Sequence, residues 1–268
     1  MVILNVIDFE YAGEKLSDYG FILCSFDSAG LETVSSGADI TFNQVKGSAS
    51  NYFNVTSATY EESYTSQPFQ ICKNPCKNVD MSITPMEISA LQKWLCRKGY
   101  NTFKVCREGY EHIHWNGTFT SKQIKLADDI IGLELTLHTD APFAYMDEVV
   151  IEKDCTDVLS FDIYDASDEE GYIYPDIEIT LLESGNFTLN NSFSNETTHI
   201  SNCAVNEIIK LQGREQIITS NSHISLASDF DYIFPKIYNT YENNKNTFTC
   251  NKKCKIVISY FPVIKVGL

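Results

Sequence analysis

Basic residues are scarce in this chain. Its 268 residues include 20 Lys and Arg against 36 Asp and Glu, a formal net charge of -16. A nucleic-acid surface needs clustered cations to displace counterions from phosphates, so direct nucleic-acid recognition is not expected. Binding to anionic lipid is disfavoured for the same reason, and acidity of this size mainly serves solubility. Long apolar runs are missing too. None approaches the ~20 residues that span a bilayer, so no membrane insertion is expected. The opening "MVILNVIDFEYAG" has no basic start and is interrupted by Asn5, Asp8 and Glu10. It does not read as a signal peptide, and the chain is expected to be made in the cytosol and to stay soluble.

The signatures of chemistry are also missing. The sequence has no G-x-S-x-G elbow, no H-E-x-x-H, no Gly-rich phosphate loop and no dinucleotide fingerprint. No enzyme is expected, and no catalytic residue, cofactor or metal ligand is assigned. Nine cysteines are present: Cys24, Cys72, Cys76, Cys96, Cys106, Cys155, Cys203, Cys250 and Cys254. Their odd count and irregular spacing argue against a disulfide framework, so most should be reduced and several buried as small hydrophobes. The sequons at Asn54, Asn116, Asn186, Asn190 and Asn195 would matter only in a secretory pathway.

Three weak metal patterns remain. His112 and His114 stand two apart on an expected strand, where their rings would share a face, with His138 as a conceivable third ligand. Two exposed imidazoles on a polar face is the plainer reading. "CKNPC" (72–76) and "CNKKC" (250–254) are Cys-x3-Cys pairs, looser than the spacing that wraps zinc, and read as isolated loop thiols. "DIYDASDEEG" (162–171) sets Asp162, Asp165 and Asp168 three apart without the central Gly of an EF-hand. It reads as a solvated acidic loop, with irregular calcium binding as the alternative.

What the sequence does have is β texture. Short alternating segments rich in Thr, Ile, Val, Tyr and Phe recur at 38–47, 110–120, 175–189 and 253–262. Ile177, Ile179 and Leu181 face one way, and the Ser184-Gly185-Asn186 turn predicts a hairpin with the strand that Phe187 begins. Residues 206–219 predict a second hairpin around Gly213. One segment is helical: "TPMEISALQKWLCRKGY" (84–100). Thr84 and Glu87 form a capping box, Pro85 opens the helix, and Ile88, Leu91, Trp94 and Leu95 make its apolar stripe. Gly99 would supply the stop, giving a helix over about 85–98 that covers one face of a sheet or barrel. In "GLELTLHTDAPFAYMDE" (132–148), Leu133, Leu135 and Leu137 line one face of a strand that Pro142 ends. An acidic stretch and then short strands at regular spacing follow, which predicts a boundary between domains 1–146 and 147–268.

Five stretches resemble the distal tail protein family of long-tailed phages of Gram-positive bacteria. "FEYAGEKLSDYGFIL" (9–23) is similar to the family's opening hairpin and Asp-Tyr-Gly step. "LQKWLCRKGY" (91–100) resembles its Leu-x-x-Trp-Leu helix, and "LELTLHTDAPFAY" (133–145) the corner that closes its first domain. "YIYPDIEITLLESGNFTLNN" (172–191) and the stretch from "FPKI" at 234 to the end resemble its second-domain sandwich. Where the family often has Gly-Asn after "FPKI", this chain has "YNTYENNKN".

The resemblance implies a mainly β fold: an N-terminal β-barrel or sandwich-like domain with one helix, and a C-terminal galectin-like, carbohydrate-module-like β-sandwich. It implies a structural virion protein, assembled in the host cytoplasm, that forms a hexameric ring at the tail tip. Its expected partners are further copies of itself, the tail tube protein, the tail-associated or central fibre protein, and a receptor-binding protein. Pro142, Phe143 and Tyr145 are then candidates for an inter-domain hinge. The competing expectation is a module that recognises a host cell-wall saccharide. Tyr172, Tyr174, Tyr238 and Tyr241 are its candidates for stacking on sugar rings.

Overall fold

The alternating leucines at 133, 135 and 137 are 1%, 0% and 0% exposed, at the centre of the first of two cores. The computed structural model describes residues 8–26, 40–46, 53–60 and 68–267. Residues 1–7, the flanks 38, 39 and 47 of the first expected strand, and the side chain of Asn54 lie outside them. Residues 1–146 with 264–268 form one compact unit, and residues 147–263 a second.

The first unit contains β1 (Phe9–Tyr11), β2 (Glu14–Lys15), β3 (Phe21–Cys24), β4 (Ile40–Lys46), β5 (Phe53–Tyr60) and β6 (Phe69–Lys73). After the helix α1 (Pro85–Leu95) come β7 (Asn101–Val105), β8 (Ile113–Leu126), β9 (Asp129–Thr139) and β10 (Ala144–Met146). The main sheet runs β2-β1-β7-β8-β9-β6-β3, with β10 alongside β8. Its path does not close, so of the two forms expected for this domain the open one is found. α1 covers it through Ile88, Leu91, Trp94 and Leu95, as their spacing predicts. Trp94 stacks on Tyr19 at 4.4 Å and on Phe9 at 5.8 Å, and its indole N–H donates to the Tyr11 carbonyl at 2.9 Å. That bond satisfies the one polar atom of a ring that is 2% exposed.

The capping box forms as read. The Thr84 hydroxyl accepts the Glu87 amide, and Glu87 accepts the Thr84 amide at 2.7 Å. The helix stops at Leu95, earlier than expected, and Gly99 is not among the left-handed residues. The Cys96 amide donates to the Gln92 carbonyl instead, and the Thr118 hydroxyl holds the Arg97 carbonyl at 2.6 Å. The chain is thereby pulled off the helix axis so that β7 can begin at Asn101. The strand of the opening leucines ends at Thr139, ahead of Pro142, as predicted.

The second unit is a β-sandwich. Its strands are β11 (Val149–Cys155), β12 (Ser160–Tyr164), β13 (Gly171–Ile173), β14 (Asp176–Leu181), β15 (Gly185–Asn191), β16 (Glu196–Cys203), β17 (Ile208–Gln212) and β18 (Ile217–Ser220). A short helix, α2 (Leu226–Asp229), precedes β19 (Ile237–Asn239), β20 (Lys245–Cys250) and β21 (Cys254–Tyr260). One sheet has the order β11-β21-β14-β17-β18 and the other β12-β20-β15-β16, with β13 and β19 paired separately. Ile177, Ile179 and Leu181 from the first meet Phe187, Leu189 and Phe248 from the second in one core.

The hairpin expected over 175–189 does not exist. β14 is flanked by β21 and β17, and β15 lies in the other sheet between β20 and β16. Alternation looks the same in a hairpin and in a strand pair that crosses a sandwich, because both bury every second residue. The hairpin around Gly213 does form, from β17 and β18. A Cβ there would run into the carbonyl oxygens of Tyr174 and Pro175. Beyond the sandwich, β22 (Val263–Ile264) pairs with β10, and Ile264 and Val266 pack on the first core.

Candidate functional site

β4 and β5 form a two-stranded antiparallel arm that pairs with no other described strand. Alternation puts Ile40 and Phe42 on one of its faces and Val45 on the other. They are 43%, 59% and 60% exposed, although the same pattern elsewhere in the chain is core. A lone two-stranded ribbon is marginal in water, and free edges with apolar faces are ready for another strand or surface. The base of the arm is anchored. Tyr60 meets the ring of Phe143 edge-on at 4.9 Å, with the Lys265 ammonium 5.6 Å from the Tyr60 centroid.

Phe143 belongs to the corner that Pro142 opens. Tyr145 sits opposite His114 in the β10–β8 register, stacks on it at 5.6 Å and donates to Asp140 at 3.3 Å. The corner residues therefore anchor the root of the arm and β10, all within the first unit.

The metal patterns are rearranged. His112 lies in the turn before β8, so it does not share a strand face with His114, which is buried. His138 on β9 meets Thr120 at 3.0 Å. Among the described residues, the groups of three whose donor atoms lie close enough to share an ion are instead Cys155–Cys250–Cys254 and Cys203–Glu207–His223. Cys250 and Cys254 are thus buried and clustered, not isolated loop thiols, because each occupies an inward position on its strand in the sandwich core. In the other pair Cys72 is buried on β6 and Cys76 is exposed. The acidic run is dispersed as well. Asp162 on β12 is held by Thr247 and Lys245, which lower its pKa. Asp165 is buried, which raises its pKa, and it accepts the Ser167 hydroxyl, so the run is not a uniformly solvated loop.

Three of the four tyrosines come together. Tyr172, Tyr174 and Tyr238 surround the Lys236 ammonium, with centroids 5.0, 5.7 and 5.9 Å away. Lys236 is ion-paired to Glu196 at 3.0 Å, and the Tyr238 hydroxyl donates to the same carboxylate at 3.0 Å. The ion pair raises the lysine and lowers the glutamate. Tyr241 stands apart, bonded to Glu169. Tyr172 and Tyr241 remain 55% and 68% exposed, enough ring area for a partner to cover.

Sequence reasoning missed one cluster altogether. His223 places Nδ1 2.8 Å from Glu207 and Nε2 3.1 Å from Asp229, and Glu207 also accepts the Ser220 hydroxyl and the Ala204 amide. It carries no sequence signal, since its members come from separate strands and loops.

Family comparisons fit this architecture. A family model described as a phage tail protein N-terminal domain matches residues 4–141, and one described as a phage tail C-terminal domain matches residues 143–260. The structure resembles that of SPP1 Dit (gp 19.1), described as a paradigm of hub adsorption apparatus in phages infecting Gram-positive bacteria. The TM-score is 0.69 over 96% of this chain and 99% of that chain, at 10% identity, which shows a shared fold. No curated protein sequence matches. The resemblance drawn from the sequence is thus borne out, and the chain belongs to a family of phage tail proteins built from this pair of domains.

Proposed function

We propose that this protein is a distal tail protein without enzymatic activity that closes into a hexameric ring at the tip of the tail tube. The ring is a hub in the virion, assembled in the host cytoplasm. It joins the tube protein to the tail-associated or central fibre protein and offers its outer face to a receptor-binding protein. The observation that carries this reading is the β4–β5 arm, which pairs with no other described strand and exposes Ile40, Phe42 and Val45 to a neighbouring copy. Head-to-tail closure needs two different surfaces on each subunit, and an arm reaching a neighbour is one of them. In this arrangement the first unit builds the ring, the second decorates it, and Pro142, Phe143 and Tyr145 form the hinge.

The test is the native mass of the purified protein with negative-stain imaging, alongside imaging of the tail tip in virions. A six-fold ring with a central channel is expected. A tail tip without six-fold density would overturn the proposal. A second reading rests on the exposure of Tyr172 and Tyr241: a saccharide-contact surface on the second unit. A glycan array should then show binding that Tyr172→Ala and Tyr241→Ala weaken, and a blank array removes this reading.

A further inference from the structure

We propose that Cys155, Cys250 and Cys254 form a three-thiolate site for a soft d10 metal ion such as zinc(II) or copper(I), clipping the two sheets of the sandwich together. Cys155 and Cys254 are cross-strand partners where β11 meets β21, and Cys250 ends β20 in the opposite sheet. All three are at most 2% exposed, and their sulfurs lie within 4.8 Å of one another. The Sγ atoms of Cys250 and Cys254 are 3.7 Å apart. Two thiolates on one tetrahedral ion, at zinc–sulfur bonds of about 2.3 Å, would stand about 3.8 Å apart.

A buried cysteine is ordinarily a small hydrophobe, which explains one such residue but not three sulfurs converging from two sheets. A disulfide would pair two of them and strand the third. One ion takes all three. Thiolate ligands select soft ions, and three sulfurs suit trigonal copper(I), or zinc with a water as fourth ligand. Each metal–sulfur bond forms as a thiol proton leaves to solvent, so loading releases up to three protons. The Cys254 thiol already donates to the Cys250 sulfur, so these two ligand atoms face each other.

The test uses the full chain, reduced and freed of metal with a chelator, then titrated with cadmium(II) as a d10 probe. One equivalent should bind, with a thiolate-to-metal band in the ultraviolet and a rise in melting temperature. Cys254→Ala should lose the band and the rise, while Cys72→Ser keeps both. Should Cys254→Ala fail to fold, alkylation of the wild-type chain in mild denaturant gives an independent readout. Cadmium should then protect Cys155, Cys250 and Cys254 together. No uptake, uptake that survives in Cys254→Ala, or protection falling on Cys72 and Cys76 instead would overturn the site.

Discussion

At the scale of single residues, Glu207 presents the sharpest problem the fold has to solve. It is 1% exposed, and a carboxylate so placed needs a counter-charge and a full set of donors. His223 supplies the charge. Burial alone would lower the imidazole's pKa, but hydrogen bonds to Asp229 and Glu207 override it and raise the pKa above its ordinary value. Burial likewise favours protonated Glu207 and is outweighed by bonds from Ser220, Ala204 and His223, so its pKa is lowered. Cys203 beside it is pushed up to about 11, by burial and then by the Glu207 charge. The raised histidine gives stability that is fully present below its unfolded value of about 6.5 and lost as pH rises through the folded one. The lowered glutamate gives stability present above about 4.3 and lost as pH falls through its folded value. His223→Gln should therefore destabilise by roughly 3 kcal/mol near pH 6 and clearly less near pH 9, read from paired melting curves. An equal loss at both would mean that the bridge is not ionic. None of this is legible in "NEIIKLQG" or "SHISLASD": local pattern reports which face is buried, not which distant polar groups meet there.

At the scale of elements, legibility follows how local the cause is. The helix can be read because its cap, stripe and opening proline all lie within a few turns, and only its end moved, under the pull of Thr118. The strand that stops before Pro142 can be read for the same reason. The β14-to-β15 crossing cannot, because the choice between pairing and crossing is made by β17, β20 and β21, far along the chain. The arm is the opposite case. Its alternation was visible, but alternation records an apolar face without saying what covers it. Phe42→Asp tests this directly. Phe42 is more than half exposed, so the change should leave the melting temperature of the subunit within the effect of about 0.5 kcal/mol. In the proposed ring, the same charge set against a neighbour's apolar surface should prevent closure. Light scattering should then give the mass of a folded subunit, whereas an unaltered ring would mean that the arm faces something else.

At the scale of the molecule, the two-unit layout follows the drop from leucine-lined alternation to acidic sequence after Tyr145. The return of residues 264–268 to the first unit does not, since "VIKVGL" resembles any strand end. That return imposes an order on synthesis. A ribosome makes all of residues 147–263 before Ile264 and Val266 reach the first core and before β22 takes its place beside β10. Domains fold largely in the order they emerge, but here the last strand of the earlier unit is made after the later one. A product interrupted anywhere in the second half lacks β22 and so leaves the edge of β10 that it would pair uncovered. The contacts of Ile264 and Val266 with the first core are thus the last that unit gains during synthesis.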